Sequence, residues 1–397
     1  MPWSMRDKTC IVGIGETEYT PWGQQRRSEF QLACEATLKA CEDAGLPVEQ
    51  VDGICGYSDD RNNGCRIATA LGIPQLRFNN MFWGGGGGGA AGNVGNAMMA
   101  VYSGMANYVI AFRALAQGQF SRFGQSGAGP RVQGDGAHSA PFALMNPVHN
   151  YALQTRRHMH EYGTTEDHLC NISLASYKHA QRNPRAVMYG RPLTRELYHK
   201  SRYISEPLHL YDCCQETDGS AAVLVTTPER ARDLKQRPVY LMAAAQGTGP
   251  RQGAFAGNKP NFATANFSET ARDLWARAGI EPKDVQVAQV YENMTGMVLM
   301  SIEDHGFCKR GEGGPFTEGG RLEHKDVAEK GAPNAGKLPI NTSGGNLAEA
   351  YTHGLELVNE AVRQMRGTST CQVEGAEICL VAAGPGVAPV SDLIVRR

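Results

Sequence analysis

Asn341-Thr-Ser-Gly-Gly-Asn-Leu-Ala-Glu-Ala-Tyr351-Thr-His353-Gly354 is the stretch that decides the fold, because it ends a loop and opens a helix. The pair Gly344-Gly345 lets the backbone approach a ligand closely. The run from 355 to 366 has apolar residues at helical spacing and predicts a helix. The N-terminal amides of that helix would favour negative charge in the loop, beside two side chains that exchange protons. The segment is therefore predicted to be half of an active site.

The same segment resembles a late motif of the thiolase superfamily, Asn-x-Ser-Gly-Gly followed at a short distance by Gly-His-Pro-x-Gly. Residues 341–345 and 351–354 follow that motif without a gap, and Tyr351 stands where the family has its histidine. This tyrosine is typical of one branch, the lipid-transfer-protein aldolases of bacterial steroid side-chain degradation, which resemble the sterol-carrier-protein type of thiolase. A glycine turn before a surface helix is the alternative interpretation of the segment taken alone.

Composition limits the class of protein. A chain of 397 residues with 41% hydrophobic content predicts two domains or two closely packed halves. A formal net charge of −1 gives no general field for nucleic acid or an anionic membrane. The 11 cysteines are odd in number and include no Cys-x-x-Cys pair, which predicts reduced, mostly buried thiols and no metal site. With no apolar run of about 18 residues, a soluble cytoplasmic protein is expected.

An internal similarity indicates duplication. The segment 44–52 resembles 278–286, each preceded by a helix-like stretch and followed by a β-rich run. The first of these stretches predicts a helix from residue 29 to a glycine stop at Gly45, and residues 106–113 predict a buried strand. A shift of 234 residues is far longer than a solenoid period and favours a duplicated α/β domain. The family resemblance implies the same arrangement, an α/β thiolase fold with duplicated five-layered α-β-α-β-α architecture. The predicted halves are residues 1–234, with a loop or lid excursion at about 116–206, and residues 235–397.

The glycine run 84–89 leads into a helix at the place where thiolases carry their nucleophilic cysteine. The resemblance puts that position at Gly87 or Gly88, and residues 82–102 contain no cysteine, serine or threonine. Covalent acyl transfer has therefore lost its nucleophile. The bare amides at this helix start are predicted to form an oxyanion hole for a thioester enolate. A tightly packed glycine turn without chemistry is the alternative, and no Gly-Lys-Ser/Thr follows that would make a P-loop.

The second half carries a further tyrosine at a family site position. Tyr291 ends an alternating strand pattern where thiolases have Asn-Glu-Ala-Phe or His-Asp-Ala-Phe, although a tyrosine at a strand end is usually a core-edge residue. Near the C-terminus the alignment of the turn 384–387 puts Leu380 at the place of the second thiolase cysteine. Cys379 is one residue off and thus on the opposite face of a strand. Both thiolase cysteines are predicted to be absent.

A thiolase-shaped site with two tyrosines and no nucleophile predicts a retro-aldol lyase that cleaves a β-hydroxyacyl-CoA, in particular a steroid side-chain thioester. One tyrosine removes the hydroxyl proton and the other protonates the thioester enolate, with Tyr351 favoured for the hydroxyl proton. The helix terminus and buried amides are expected to lower the tyrosine pKa or to share the proton. The predicted substrate and oxyanion contacts, by resemblance, are Gly87, Gly88, Gly345, Asn346, His353 and Gly384. No cofactor is expected, because coenzyme A is part of the substrate.

The resemblance also implies partners. A homodimer is expected, with the small-residue helix 90–97 suited to a symmetric contact. A small OB-fold partner protein is expected to close the steroid end of the pocket in a heterotetramer. Two other functions stay open. A thiolase-type acyl-CoA acyltransferase requires a cysteine at 87 or 88, and a non-catalytic lipid- or acyl-CoA-binding subunit predicts no turnover even with the partner present.

Overall fold

A computed structural model describes residues 4–58, 60–83, 86–120, 134–252 and 259–397 of the chain. The strands, in chain order, are β1 (Cys10–Glu16), β2 (Thr20–Pro21), β3 (Gly53–Tyr57), β4 (Phe78–Phe82), β5 (Val109–Leu115), β6 (Tyr203–Ser205), β7 (Leu208–His209), β8 (Thr217–Thr226), β9 (Val239–Gly247), β10 (Val287–Val290), β11 (Ile378–Ala383) and β12 (Val390–Arg396). The helices are α1 (Glu29–Ala44), α2 (Gly64–Ala70), α3 (Gly89–Tyr102), α4 (Pro147–Tyr162), α5 (Glu166–Ala180), α6 (Arg195–Lys200), α7 (Pro228–Ala231), α8 (Ser268–Ala278), α9 (Thr295–Asp304), α10 (Gly313–Phe316), α11 (Gly345–Ala348) and α12 (Leu355–Arg366).

The main sheet contains the same strand pattern twice. On one side the order is β1-β8-β5-β3-β4, with two antiparallel pairings followed by two parallel ones. On the other side β9-β12-β11-β10 repeats the antiparallel, antiparallel, parallel sequence, and a parallel bridge from Ala288 to Ile340 stands in the place of β4. The half-sheets join where β1 pairs with β9 through Cys10 and Ile11. This repetition matches the predicted duplication, and the predicted boundary at 234/235 falls between α7 and β9.

The two internally similar segments fold alike. Helix α1 ends at Gly45 with φ 70°, and α8 ends at Gly279 with φ 63°. Glycine suits both ends because a left-handed backbone costs it no side-chain clash. A short 3-10 helix follows each stop, at Val48–Gln50 and at Pro282–Asp284, and each leads into a central strand. Helix α1 has the bounds that the sequence predicted.

The helices form three layers around the two half-sheets. One core cluster lies between α1 and α2 and the N-terminal strands, and another lies between α8 and α9 and the C-terminal strands. The central cluster joins α3 and α12 to the facing sides of both half-sheets. Alternate residues of a strand enter different clusters, as the pleat requires, so Cys379 faces the centre and Leu380 faces the outer layer. The predicted five-layered α-β-α-β-α architecture is confirmed.

The excursion predicted at about 116–206 carries helices α4, α5 and α6 and strand β6, which pairs with β7 just beyond it. Residues 121–133 of the excursion lie outside the described residues. Helices α4 and α5 pack against α9, and α5 also packs against α11. The excursion is therefore anchored on the C-terminal half, beside the loop that carries Tyr351.

The predicted use of the small-residue helix 90–97 at a dimer contact is wrong. These residues lie in α3, and nearly all of them are buried inside the chain between the two half-sheets. A different surface nearby exposes large apolar side chains on β4, on α3 and just after each of them: Met81, Trp83, Met99, Tyr102 and Met105. Strand β4 is also an end strand of the main sheet.

Across the described ranges, every helix is too short or too polar to span a bilayer.

Candidate active site

Tyr291 and Tyr351 meet at the centre of the molecule. Their hydroxyl oxygens lie 2.9 Å apart in a hydrogen bond, and the ring centroids are 6.0 Å apart. Both side chains are buried, at 2% and 4% exposure, and pack with Leu115, Leu357 and Cys214. Two residues that are 60 positions apart in sequence thus form one hydrogen-bonded pair of phenols.

Tyr291 occupies the space above Gly87. It follows β10 directly, and its backbone amide donates to the Ala382 carbonyl at 2.9 Å. A Cβ placed on Gly87 would lie 2.2 Å from the tyrosine ring and 2.6 Å from its hydroxyl oxygen. A Cβ on Gly354 would lie 2.8 Å from the same ring. The ring therefore excludes any side chain at one of the two positions where the resemblance places a nucleophile.

Strand β8 fixes the backbone of Tyr351. The Tyr351 amide donates to the Thr217 hydroxyl at 2.8 Å, and that hydroxyl donates to the Tyr351 carbonyl at 3.2 Å. Tyr57 donates from its hydroxyl to the His353 carbonyl at 3.0 Å. The loop with the second phenol is thus held by side chains from the N-terminal half, so the site lies at the junction of both halves.

Gly88 and Gly384 pack backbone against backbone. Gly384 has φ 75°, and a Cβ there would lie 2.1 Å from the Gly88 Cα. A Cβ on Gly88 would lie 2.4 Å from the Pro389 carbonyl oxygen. Ser391 donates to the Gly88 carbonyl and accepts from the Gly92 amide at 2.8 Å. Both glycines are required by close approach, and they join the start of α3 to the turn after β11.

His353 is oriented by a buried cation. Arg113 donates to His353 Nδ1 from Nε at 3.2 Å and from Nη2 at 2.8 Å. Arg113 in turn pairs with Asp60 at 3.2 Å, and both side chains of that ion pair are essentially inaccessible. A guanidinium has only donors, so Nδ1 is the acceptor and the ring proton sits on Nε2. His353 is therefore a neutral Nε2 donor, and its ring lies edge-on to Tyr351 at 5.0 Å.

The start of α12 does not face the phenols as a free positive end, which corrects the sequence prediction. Glu356 accepts from the Thr352 amide at 3.2 Å and from the Gly354 amide at 3.1 Å, and it also accepts from the Thr352 hydroxyl. The two amides flank His353 just before α12, so the Glu356 carboxyl occupies the space at the start of this helix. Burial raises the pKa of the Glu356 carboxyl to about 7.

Gly345 and Asn346 contact Glu292 in the structure, and their predicted contact with a ligand stays a prediction. A Cβ on Gly345 would lie 1.9 Å from the Glu292 carboxylate, and the Asn346 amide donates to that carboxylate at 2.6 Å. The Asn346 side chain accepts from the Glu292 amide at 3.0 Å and donates to Glu356. Its polar atoms are engaged by the protein itself. Both residues brace the segment after Tyr291.

Ionisation at the site is unfavourable. Burial first, and then the neighbouring Tyr351, raise the pKa of the Tyr291 hydroxyl well above its ordinary value. Burial likewise raises the pKa of the Cys214 thiol, whose side chain packs beside both phenols. The predicted lowering of the pKa does not occur at Tyr291. The site therefore holds a neutral Tyr291 and a protonated Cys214 thiol, which is no thiolate nucleophile.

Leu380, which the resemblance equates with the second thiolase cysteine, lies in the middle of β11. It pairs with Ala288 and packs in the outer C-terminal core. The backbone that reaches Gly88 belongs to Gly384, just after the strand. The equivalence of Leu380 with that cysteine stays a prediction.

Several supporting residues escaped the sequence analysis: Tyr57, Asp60, Arg113, Thr217 and Glu356. A signal existed for Arg113, since a charged residue at the end of an otherwise apolar strand pattern demands a partner. A signal existed for Glu356 as well, because an acidic residue in the first turn of a helix after a glycine is a capping pattern.

A groove lies beside the C-terminal part of α4. It has a volume of about 530 Å³ and is lined by Arg157, Glu161, Tyr162, Lys259, Pro260, Asn261 and Phe262. Burial lowers the pKa of Lys259 to about 8. The N-terminal part of the same helix carries Tyr151, which packs against Gly386 beyond the turn that reaches Gly88. The groove offers two cationic side chains, Arg157 and Lys259.

Comparisons with known proteins agree with this geometry. Residues 252–395 match the family described as "Thiolase C-terminal domain-like". The chain is 42% identical over 396 residues to a "17-hydroxy-3-oxo-4-pregnene-20-carboxyl-CoA lyase" of Mycobacterium tuberculosis, covering 98% of this chain and 99% of the relative. It is also 42% identical over 395 residues to a "Steroid side-chain-cleaving aldolase" of Thermomonospora curvata, covering 97% of each.

Solved structures give the same result. A structure titled "Ltp2-ChsH2(DUF35) aldolase" matches with a TM-score of 0.89 and 39% identity, over 99% of this chain and 98% of that chain. Human mitochondrial 3-ketoacyl-CoA thiolase matches with a TM-score of 0.71 at 12% identity, over 99% of each chain, which shows the fold alone. The chain therefore belongs to the steroid side-chain-cleaving aldolases, a family of carbon-carbon lyases that have the thiolase fold.

Proposed function

We propose that this lyase cleaves a β-hydroxyacyl-CoA whose acyl part is a steroid side chain, giving a ketone and a shorter acyl-CoA. The observation that carries the proposal is the buried pair of phenols at 2.9 Å, one of which fills the space above Gly87. The mycobacterial relative's name puts a hydroxyl on carbon 17 and the thioester carboxyl on carbon 20, so its substrate is a β-hydroxyacyl thioester.

The reaction passes a proton along the tyrosine pair. The substrate hydroxyl gives its proton to the Tyr351 oxygen, Tyr351 gives its proton to the Tyr291 oxygen, and Tyr291 protonates the substrate α-carbon. The bond between the carbinol carbon and the α-carbon breaks, and its electron pair forms the thioester enolate that accepts the Tyr291 proton. The carbinol becomes a ketone, and both phenols finish protonated.

This relay avoids a lasting phenolate. Burial raises the pKa of Tyr291 well above its ordinary value, so a free tyrosinate at neutral pH would be very unfavourable. The hydroxyl-to-hydroxyl distance of 2.9 Å lets protons shift in concert with the breaking bond, because a hydroxyl both donates and accepts. Each hydroxyl hydrogen can rotate about its C–O bond, so Tyr351 can donate to Tyr291 as the relay requires.

The thioester oxygen carries the charge that develops in the transition state. Helix α3 begins at Gly89, and no side chain caps its N-terminus. The amides at Gly87 and Gly88 are proposed as donors to the enolate oxygen, each such donor being worth about 2.7–4 kcal/mol of barrier. His353, with its proton on Nε2, is proposed as a further neutral donor. Gly384 is proposed to contact the thioester through its backbone.

The groove near α4 is proposed to receive the anionic end of coenzyme A. Arg157 and Lys259 line it, although Arg157 also pairs with Glu161 at 2.5 Å. Coenzyme A is part of the substrate, so the proposed reaction requires no separate cofactor.

Partners complete the proposal. The exposed apolar side chains Met81, Trp83 and Met105 beside the end strand β4 support a homodimer through this edge. A small OB-fold protein is proposed to close the steroid end of the pocket in a heterotetramer, supported by the two-protein title of the similar structure. The proposed location is the cytoplasm.

Mass measurement tests the assembly. The expected species is a dimer, and Trp83→Lys should shift it towards the 42.9 kDa monomer. Phe142→Lys is the matched control, because Phe142 is also highly exposed, at 74%, and belongs neither to β4 nor to α3. A 42.9 kDa monomer that is fully active alone would contradict both the dimer and the need for closure.

Product analysis tests the reaction. The chain, with and without the OB-fold partner, is incubated with a steroid β-hydroxyacyl-CoA in D₂O, and products are separated by chromatography and mass spectrometry. We expect equal amounts of ketone and acyl-CoA, with one deuteron on the α-carbon of the acyl-CoA. The same thioester without its β-hydroxyl should not react. Acyl exchange between two acyl-CoAs would favour the acyltransferase, and absence of turnover with the partner would favour a binding subunit.

A further inference from the structure

Three ligand-type side chains meet away from the active site, in the region that joins the excursion to β8. Glu166 begins α5, His199 lies in α6 and His209 ends β7. One donor atom from each lies within 4.8 Å of the other two. They come from three segments separated by up to 43 positions, so the fold and not local sequence brings them together.

His209 is presented as a metal ligand would be. Its Nδ1 lies 2.9 Å from the Ser201 carbonyl, which can only accept, so Nδ1 carries the proton. The lone pair of the neutral ring is then on Nε2, which lies 3.5 Å from Glu166 Oε2. His209 is buried, and the Tyr203 and Tyr198 rings pack on it at centroid distances of 4.2 and 4.9 Å. The imidazole is therefore fixed in direction before any ligand arrives.

The spacing fits a small cation. Zinc binds imidazole nitrogen and carboxylate oxygen at about 2.0–2.2 Å, and atoms 3.5 Å apart would then subtend an angle of about 115° at the ion, close to tetrahedral. His199 has to move by about 1 Å to close the third side. Its side chain is 37% accessible, so that movement disturbs little packing.

Outer contacts support each ligand. Tyr203 donates from its hydroxyl to Glu166 Oε1 at 2.8 Å, which leaves Oε2 directed at His209. Asp167 lies 3.0 Å from His199 Nε2 and itself pairs with Arg195 at 2.7 Å. Carboxylates and carbonyls that orient ligating histidines are a general feature of metal sites. A plain surface ion-pair network would not require the buried, oriented histidine.

We infer that Glu166, His199 and His209 bind one divalent transition-metal ion of the zinc type, with water completing the coordination. Two imidazoles and one carboxylate favour zinc over the oxygen-preferring magnesium and calcium. The ion would join α5, α6 and β7, just before Cys214 and Thr217, which contact the tyrosine loop. Its role is structural, since these ligands are not those of the tyrosine pair. The absence of a Cys-x-x-Cys pair in the sequence predicted no metal site.

Titration of the full-length chain with Zn²⁺ tests the site, after dialysis against chelator and in a Cys65→Ser background that removes an exposed thiol. Isothermal calorimetry should show one saturable equivalent and a rise in Tm. Mg²⁺ should produce neither effect. Co²⁺ in its place should give visible d-d bands without the near-ultraviolet charge-transfer band of thiolate ligands.

Three variants locate the ion. His199→Ala and Glu166→Gln change exposed or half-buried groups, and each should weaken Zn²⁺ binding at least tenfold. His209→Ala should abolish it, with circular dichroism to check folding. His160→Ala, an exposed histidine on α4, is the matched control and should bind like wild type. Absence of a saturable equivalent, or binding unchanged in His199→Ala and Glu166→Gln, would overturn the inference.

Discussion

Helices α3 and α12 occupy equivalent places in the two halves, yet their first turns differ. Helix α3 starts after glycines, and its first turn contains no acidic side chain. Helix α12 starts after Gly354, and the Glu356 carboxyl in its first turn reaches back to the amides of Thr352 and Gly354, which precede the helix. An acidic group therefore lies at the start of α12, whereas the start of α3 has only backbone amides.

The two helix starts therefore have different proposed roles: the start of α3 stabilises the enolate, and the start of α12 positions the loop that carries Tyr351. The bare end of α3 can meet an enolate oxygen, and Tyr291 covers Gly87 there. Glu356 at the start of α12 holds the backbone of Thr352 and Gly354, on either side of His353. In the proposed mechanism, the amides at the start of α3 stabilise charge while the two phenols transfer protons.

The largest expected effect comes from breaking the phenol pair. Tyr291→Phe and Tyr351→Phe should each fold and lose about 10²-fold or more in turnover, because either change interrupts the proton relay. Tyr102→Phe, on the exposed end of α3, is the matched control and should stay near wild type. Steady-state rates of ketone formation measure the effect. Rates near wild type in both Tyr291→Phe and Tyr351→Phe would contradict the proposed proton relay.

A smaller effect is expected at the bare helix end. Gly87→Ala should lower turnover about tenfold and stability by about 1–3 kcal/mol, because its Cβ would overlap the Tyr291 ring. Combination with Tyr291→Ala should restore much of the stability, which a double-mutant cycle in urea measures.

Gly56→Ala serves as the control for that cycle, since a Cβ there finds nothing nearer than 3.6 Å. Additive stability losses for Gly87→Ala and Tyr291→Ala would show that the ring does not occupy the space above Gly87.

The buried Glu356 at the start of α12 is expected to make the free energy of unfolding depend on pH. Burial raises the pKa of Glu356 to about 7 from an ordinary 4.5, so the folded state favours the protonated form. The resulting stability is fully present below pH 4.5 and is lost as pH rises through about 7. Glu356→Gln should flatten the fall in unfolding free energy between these values. Urea denaturation at several pH values measures it, and an unchanged slope would contradict the assignment.

The smallest effect is expected at Cys214. Its thiol packs beside both phenols, but burial raises its pKa and no covalent step uses it. Cys214→Ser should keep turnover within a few fold of wild type. Mass spectrometry during turnover should find no acyl-enzyme, and recovery of an acyl-cysteine would revive the acyltransferase.

Local patterns predicted much of the fold. Helices α1 and α12 have the predicted bounds, because apolar spacing and a following glycine specify both. Strand β5 lies at 109–115, somewhat later than the predicted run from 106 to 113, because strand ends depend on pairing with neighbours. The similarity of residues 44–52 and 278–286 predicted a duplicated α/β domain, and the repeated strand order agrees with it.

Less of the site than of the fold could be predicted from the sequence. Both tyrosines were identified from their positions in family motifs, but their contact depends on packing across 60 residues. The pairing of Arg113 with Asp60 and the cap by Glu356 also depend on tertiary contacts between buried charges, which leave little local pattern.

The strand order has a consequence for synthesis of the chain. Strand β8 lies between β1 and β5, so the N-terminal half-sheet stays open until residue 226 has been made. Its inner face still lacks α12, whose Asn359 donates to the Gly15 carbonyl at 3.2 Å and whose Arg363 pairs with Glu16. A nascent chain therefore carries an apolar surface until translation is nearly complete. Contacts between segments so far apart in sequence form late, so the N-terminal half-sheet is expected to stay prone to aggregation until α12 has been made.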